Sequence, residues 1–284
     1  MPIVPVLLAG ACAGLTGGRG EGGGIDHPRG PNDLVLQVHS GGGFVPIVWH
    51  LRELPLFSLY GDGRVITQGP QSAIYPPPAL PSLVERRVSD EGIQAILQAA
   101  QDAGLRGSDR QLEVLEATDL PTTTFMVVAD GQRHRTSVYG LGEFSESAPA
   151  AEREARQRLF EFQSQLLDLE SWLPQGSVSR DRPHEYERLS LFIVPTSESG
   201  GLGGTEDQSE PTRKDWPLPG PLSAFGKPLP KTPDIRCGMV QGPELREVLA
   251  AAGEANLETI WRSEKEVHLI AFRPLLLAEP ACPT

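Results

Sequence analysis

The stretch Thr118–Gly140 constrains the fold most strongly, because it holds two extended segments joined by a two-residue reversal. Residues Thr123–Val128 are mostly β-branched, aromatic or aliphatic, and Thr136–Tyr139 resumes extended character after Asp130-Gly131. An Asp-Gly pair suits a tight turn because both residue types tolerate positive φ. The stretch therefore predicts a β-hairpin in which Asp130 serves the turn and not catalysis.

A second stretch has the same layout, with Leu56–Tyr60 and Arg64–Thr67 on either side of Gly61-Asp62-Gly63. Asp62 is interpreted as a turn residue for the same reason. A helical pattern follows each hairpin, one after the N-cap candidate Ser89 and one over about residues 150–172. The order predicts an α+β fold, with a mostly antiparallel sheet, helices packed on one face, and repeated hairpin-helix units.

The second hairpin is expected at the centre of this sheet. Alternation along its first strand predicts that either Phe125 and Val127 or Met126 and Val128 are buried. A polar substitution in the inward pair is expected to unfold the domain.

Changes in composition divide the 284 residues into five parts. We expect a truncated lipoprotein signal (1–12), a flexible glycine-rich tether (13–32), an α+β core domain (33–195), a Pro/Gly-rich strap or linker (196–234) and a small C-terminal αβ unit packed on the core (235–284).

Three cysteines are informative by position. Cys12 follows a short apolar run, whereas Cys237 and Cys282 frame the C-terminal unit. One interpretation is a lipid-modified Cys12 and a Cys237–Cys282 disulfide formed outside the cytoplasm, and the alternative is three unrelated thiols in a cytosolic protein. The bridge would close a loop of about 45 residues and add about 4 kcal/mol of stability.

Residues 1–12 resemble the end of a bacterial lipoprotein signal, with an apolar run over Ile3–Leu8, small residues and then Cys12. No basic residue precedes the run, which a start codon assigned too far downstream would explain, and Ala9 stands where leucine is usual. The alternative is an ordinary flexible N-terminus. Because the run is far shorter than the ~20 residues of a membrane span, membrane attachment is expected only through Cys12.

Charge and motif content argue against several classes of function. The net charge of −12, without a basic stripe, disfavours binding to nucleic acid or to anionic lipid headgroups. The sequence lacks HExxH, GxSxG, P-loop and dinucleotide-binding patterns. Its six histidines have no neighbours at metal-ligand spacing, so no catalytic, cofactor or metal residue is predicted unless dispersed residues meet by folding.

Three segments together carry a likeness to a known family: Leu56–Ile66, the helix opening Ser89-Asp90-Glu91, and Thr118–Thr124 followed by Asp130-Gly131 and Tyr139-Gly140. Over about residues 34–195 the chain resembles uncharacterised secreted lipoproteins of high-GC Gram-positive bacteria, and the hairpin pair is similar to a broader bacterial domain of unknown function. The resemblance implies a cell-envelope location and brings no catalytic residue.

The leading hypothesis is a non-enzymatic extracytoplasmic lipoprotein, anchored or secreted, that binds an unknown protein or envelope ligand. The alternatives are a secreted hydrolase whose site is assembled from dispersed residues, and a protease-inhibitor-like module with a contact surface in residues 195–234.

Overall fold

Two β-sheets with flanking helices form an α+β fold in which most neighbouring strands are antiparallel. The structure is a computed structural model and describes residues 24–113, 117–143, 148–196, 211–277 and 279–283. Over these residues the first sheet has eight strands and the second has six. The predicted α+β class is confirmed.

The first sheet is built from the N-terminal part of the chain. Its strands are β1 (Leu34–Gly41), β2 (Phe57–Tyr60), β3 (Arg64–Gln68), β4 (Leu83–Arg87), β5 (Arg110–Leu112), β6 (Thr122–Ala129), β7 (Gln132–Tyr139) and β8 (Arg182–Pro183). They lie in the order β5-β7-β6-β1-β2-β3-β4-β8, and the pair β5–β7 is parallel. The helices associated with this part are α1 (Ile47–Leu51), α2 (Asp90–Asp102) and α3 (Ala150–Leu167).

Both predicted hairpins form. β2 pairs antiparallel with β3, and β6 pairs with β7 along its whole length. Asp130 and Gly131 make the second reversal with φ of 50° and 70°, the left-handed conformation that the Asp-Gly pair predicts. Phe125 and Val127 are both 0% exposed, so they are the inward pair of β6.

The predicted repetition of hairpin-helix units is not confirmed. β1 lies between the two hairpins and pairs with β2 on one side and β6 on the other. The strand β4 also separates the first hairpin from α2. The middle pair of the eight strands is therefore β1 and β2, and the second hairpin lies to one side of it.

Helices α2 and α3 cover one face of the first sheet, as predicted. The Ser89 hydroxyl caps α2 by accepting a hydrogen bond from Gly92 N at 3.2 Å, which satisfies a free helix N–H. The Phe162 ring of α3 packs on Phe125 with a centroid distance of 6.3 Å. A short 3₁₀ turn, Leu169–Ser171, follows α3 where the sequence predicted further α-helix.

The second sheet uses the C-terminal part of the chain. Its strands are β9 (Arg188–Pro195), β10 (Arg213–Asp215), β11 (Lys227–Pro228), β12 (Arg236–Gln241), β13 (Ile260–Ser263) and β14 (Glu266–Pro274), and its helix is α4 (Gly242–Gly253). The order is β10-β13-β14-β9-β12-β11, with β10 and β13 parallel. β9, which the sequence grouped with residues 33–195, thus pairs on both sides with strands of the C-terminal unit.

Aromatic side chains fill the core of this second sheet. The Trp261 ring packs against Phe272 at a centroid distance of 5.6 Å and against Trp216 at 6.4 Å. Trp216 in turn lies 5.8 Å from Phe225. Because Trp216 and Phe225 belong to the predicted strap, its described part, residues 211–234, is packed on the sheet.

Helix α1 and the residues after β14 join the two sheets. Val48 of α1 is buried with Phe192 and Ala271 of the second sheet. On the face of the first sheet opposite α2 and α3, Leu276 packs with Tyr60 and other apolar side chains. Among the described residues, no helix is long and apolar enough to cross a membrane.

Candidate functional site

The predicted disulfide is present. Cys237 of β12 and Cys282 are joined at an S–S distance of 2.00 Å, with their Cα atoms 6.0 Å apart. The bond holds the C-terminal segment 279–283 against the second sheet. Cys12, the predicted lipidation site, lies outside the described residues.

A cleft of about 260 Å³ lies where the two sheets meet. Its polar lining comes from five places in the chain: β1, α1 with the turn that follows it, β9, β14 and the C-terminal segment. These polar residues are His39, His50, Glu53, Ser190, Arg273 and Glu279. Leu51, Phe192 and Pro280 are among its apolar lining residues.

Helix α1 presents a histidine–carboxylate pair to the cleft. His50 Nδ1 lies 2.8 Å from Glu53 Oε1, at i,i+3 spacing on the helical turn. A carboxylate accepts hydrogen bonds only, so Nδ1 carries the proton and donates it. The same oxygen accepts a hydrogen bond from Gly42 N at 3.1 Å, and these two donors fix the Glu53 side chain.

Arg273 and Glu279 form a bidentate ion pair that also lines the cleft. Arg273 Nη1 and Nη2 each donate to one Glu279 oxygen at 2.9 Å. Arg273 Nε donates to the Glu53 carbonyl at 2.8 Å, and Leu276 N donates to Glu279 Oε2 at 3.0 Å. Bidentate geometry makes the Arg273–Glu279 pair a strong charge-assisted contact. Arg273 thereby ties β14 to the C-terminal segment and to the connection between α1 and β2.

The Ser190 hydroxyl is also engaged, because it donates a hydrogen bond to the Ala281 carbonyl. A serine that acts as a nucleophile needs its proton directed at a base. Here the proton points to a backbone carbonyl of the disulfide-held segment, so Ser190 helps to position that segment.

His39, on β1, is a half-buried titratable side chain of the cleft. Burial lowers the pKa of His39, the nearby Glu53 and Glu279 charges act in the opposite direction, and Arg273 lowers it further. The net direction is downward from 6.5. The imidazole is therefore neutral at physiological pH.

A second group of charges lies at the far edge of the first sheet. The buried Glu85 of β4 accepts hydrogen bonds from Arg182 of β8 and, at 3.0 Å, from His184 Nδ1. Burial raises the pKa of Glu85, but the hydrogen bonds from Arg182 and His184 outweigh it and lower the pKa from 4.5. These contacts pin the connection between the two sheets to β4, which is a structural role.

The cleft is formed from residues that the sequence did not single out as a site. The sequence predicts no site role for His39, His50, Glu53, Arg273 or Glu279. The one local signal is the His50-x-x-Glu53 spacing on a helical turn. Within the described parts of the chain, no three His, Cys, Asp or Glu side chains are placed to hold a metal ion.

No family model, curated protein or solved structure matches the chain.

Proposed function

We propose that this chain is an extracytoplasmic, non-enzymatic protein that binds a small ligand in the cleft between its two sheets. The observation that carries the proposal is the composite cleft itself. Each sheet contributes part of the lining, and a bidentate ion pair, a backbone hydrogen bond and a disulfide hold the parts together. Preorganised, partly apolar concave sites with few polar groups are typical of ligand binding.

The location outside the cytoplasm is supported by the disulfide, which suggests an oxidising compartment. We further propose that Cys12 is lipidated and that residues 13–32 tether the folded part to the membrane. Globomycin-sensitive processing, and loss of membrane association in Cys12→Ser, are the expected results. A chain that stays soluble in the cytoplasm with free thiols at Cys237 and Cys282 would contradict the proposal.

Binding in the cleft can be tested without knowing the ligand. A ligand-observed NMR screen of small polar compounds should give binders whose signals vanish in Ala281→Phe, because Ala281 lines the cleft and the larger side chain fills it. Ala150→Phe is the matched control, since Ala150 is exposed at the start of α3. Equal binding to both variants would place the ligand elsewhere and refute the proposal.

A hydrolase is the second candidate because the His50–Glu53 pair lines the same cleft as Ser190. Hydrolysis there would require the Ser190 hydroxyl to rotate away from the Ala281 carbonyl and toward an imidazole. A carboxylate-oriented imidazole is the usual partner of an activated serine. A fluorophosphonate probe decides the matter: labelling that is lost in Ser190→Ala favours hydrolysis, and an unlabelled wild-type protein excludes a serine hydrolase at this site.

The inhibitor-like hypothesis depends on an exposed contact surface in residues 195–234. The described part of that segment instead buries Leu222 and packs Trp216 in the second core. This packing argues against a free contact surface in the described part of the segment.

A further inference from the structure

The charged side chains of the cleft differ in whether an opposite charge pairs with them. Arg273 uses all three guanidinium nitrogens, two on Glu279 and one on the Glu53 carbonyl. Both Glu279 oxygens are engaged in return. The charges of Arg273 and Glu279 therefore offset each other, so the Glu53 carboxylate sets the net negative charge of these three groups.

Glu53 is different, because no lysine or arginine forms an ion pair with its carboxylate in the described part of the chain. Oε1 accepts from His50 and from Gly42 N, whereas Oε2 has no hydrogen-bond donor among the described residues. Charge-assisted hydrogen bonds are about twice as strong as neutral ones. Glu53 Oε2 is therefore the strongest unused acceptor of the cleft.

The two histidines add to this unused acceptor capacity. Because His50 Nδ1 donates to Glu53, its Nε2 is left as a lone-pair acceptor in the neutral ring. His39 has no hydrogen bond to any described residue and, when neutral, offers one acceptor nitrogen. The Ser190 proton is already used on Ala281.

The Glu53 carboxylate and the His39 imidazole both lie next to Gly41. A Cβ atom built at position 41 would lie 2.1 Å from Glu53 Oε2 and 2.9 Å from His39 Cε1. The absence of a side chain at Gly41 therefore leaves the space in which Oε2 and the His39 ring approach each other. Both unused groups face the same small region.

From this arrangement we infer that the cleft binds a primary ammonium group carried on a short aliphatic or aromatic body. Such a ligand supplies the N–H donors and the positive charge that the unused acceptors lack, while Leu51 and Phe192 contact its apolar part. A carboxylate or phosphate ligand would face unpaired acceptors and a negative charge. The volume of about 260 Å³ limits the body to roughly ten carbon atoms, since a cavity of about 150 Å³ already accepts a benzene ring. The inference rests on the proposed binding function and narrows it to one ligand class.

The test uses three probes of equal length and different charge, n-butylammonium chloride, n-butanol and sodium butyrate, in phosphate buffer to avoid amine buffers. Binding to the oxidised full chain is followed by the side-chain NMR signals of His39 and His50. Butylammonium should shift both signals saturably and bind at least about tenfold more tightly than butanol, since a hydrogen bond to a charged group is worth about 1.4 kcal/mol or more. Butyrate should not bind.

Two variants localise the effect. Glu53→Gln should weaken butylammonium binding at least about tenfold, whereas Glu244→Gln, an exposed change on α4, should not alter it. Gly41→Ala should also weaken butylammonium binding, because its Cβ would lie 2.1 Å from Glu53 Oε2 and displace the carboxylate.

Each other outcome overturns the inference. If butanol or butyrate binds as well as butylammonium, or if Glu53→Gln leaves its binding unchanged, the ammonium class is wrong while the binding function stands. If no probe shifts the histidine signals but the compound screen gives binders lost in Ala281→Phe, the same conclusion follows. If that screen is also empty, the proposed binding function fails as well.

Discussion

Replacing both Cys237 and Cys282 with serine removes the one covalent link between β12 and the C-terminal segment. The bond closes a loop across a sequence separation of 45 residues. The chain-entropy relation for a loop of this length gives about 4 kcal/mol at room temperature. Since domains of ordinary stability unfold with about 5–15 kcal/mol, the double variant should lose a large part of its stability.

The assay is urea denaturation followed by tryptophan fluorescence, because the buried Trp261 reports on the second sheet. With a urea slope of about 3 kcal/mol/M, a loss of about 4 kcal/mol lowers the midpoint by roughly 1.3 M. Treating the wild-type protein with dithiothreitol should produce a similar change. Cys12→Ser, which removes a cysteine outside the bridge, is the control and should leave the midpoint where it is.

Two results would refute the reasoning. One is a midpoint of the double variant equal to that of the oxidised wild type, which would mean that the loop constraint adds nothing. The other is alkylation of Cys237 in the unreduced protein, detected by mass spectrometry, which would mean that the bridge does not form.

Three further predictions concern single side chains. Phe125→Ala should lower the free energy of unfolding by about 3–5 kcal/mol, whereas Met126→Ala, on the opposite side of β6, should cost about 1 kcal/mol or less; thermal melts by circular dichroism compare them, and equal losses would reverse the assigned faces. Glu85→Gln should lower the free energy of unfolding by about 1–3 kcal/mol near neutral pH. Because the pKa of Glu85 is lowered on folding, this loss should shrink as the pH falls below 4.5 and through the folded-state pKa. A pH-independent difference between the urea denaturation curves of the two proteins would contradict the prediction. Burial lowers the pKa of His39, so below pH 6.5 the unfolded chain takes up a proton that the folded chain does not, and stability falls. His39→Gln should flatten this loss in melts on either side of pH 6.5, and an unchanged slope would remove His39 as its source.

The elements that the sequence predicted are those whose cause is local. Asp130-Gly131 specifies its turn through positive φ, and Ser89 specifies the start of α2 through a side-chain hydrogen bond. The disulfide was predicted because Cys237 and Cys282 frame one compact unit, and it is confirmed.

What the sequence did not predict depends on pairing over long distances. The sequence assigned β9 to the 33–195 domain by its position along the chain, whereas its neighbours in the fold are β12 and β14. Predicting the cleft would have required the relative position of the two sheets. Glu53 and Arg273 are far apart in sequence, and their contact is a hydrogen bond from the Arg273 side chain to the Glu53 backbone carbonyl. The i,i+3 pair of His50 and Glu53 was the single part of the cleft with a local signature.

The position of β9 also determines the order in which the two sheets can form. During synthesis this strand emerges from the ribosome before either of its neighbours, since β12 and β14 follow by tens of residues. Until β12 and β14 have been synthesised, both hydrogen-bonding edges of this apolar strand are unpaired. Unpaired apolar strands are prone to aggregation. All eight strands of the first sheet precede β9 in the chain, so the second sheet and the cleft that depends on it are completed last. A chain cut short before β14 would keep the helices and hairpins of its N-terminal half but would lack both the Arg273 contacts and Cys282, so only a full-length product carries the complete cleft.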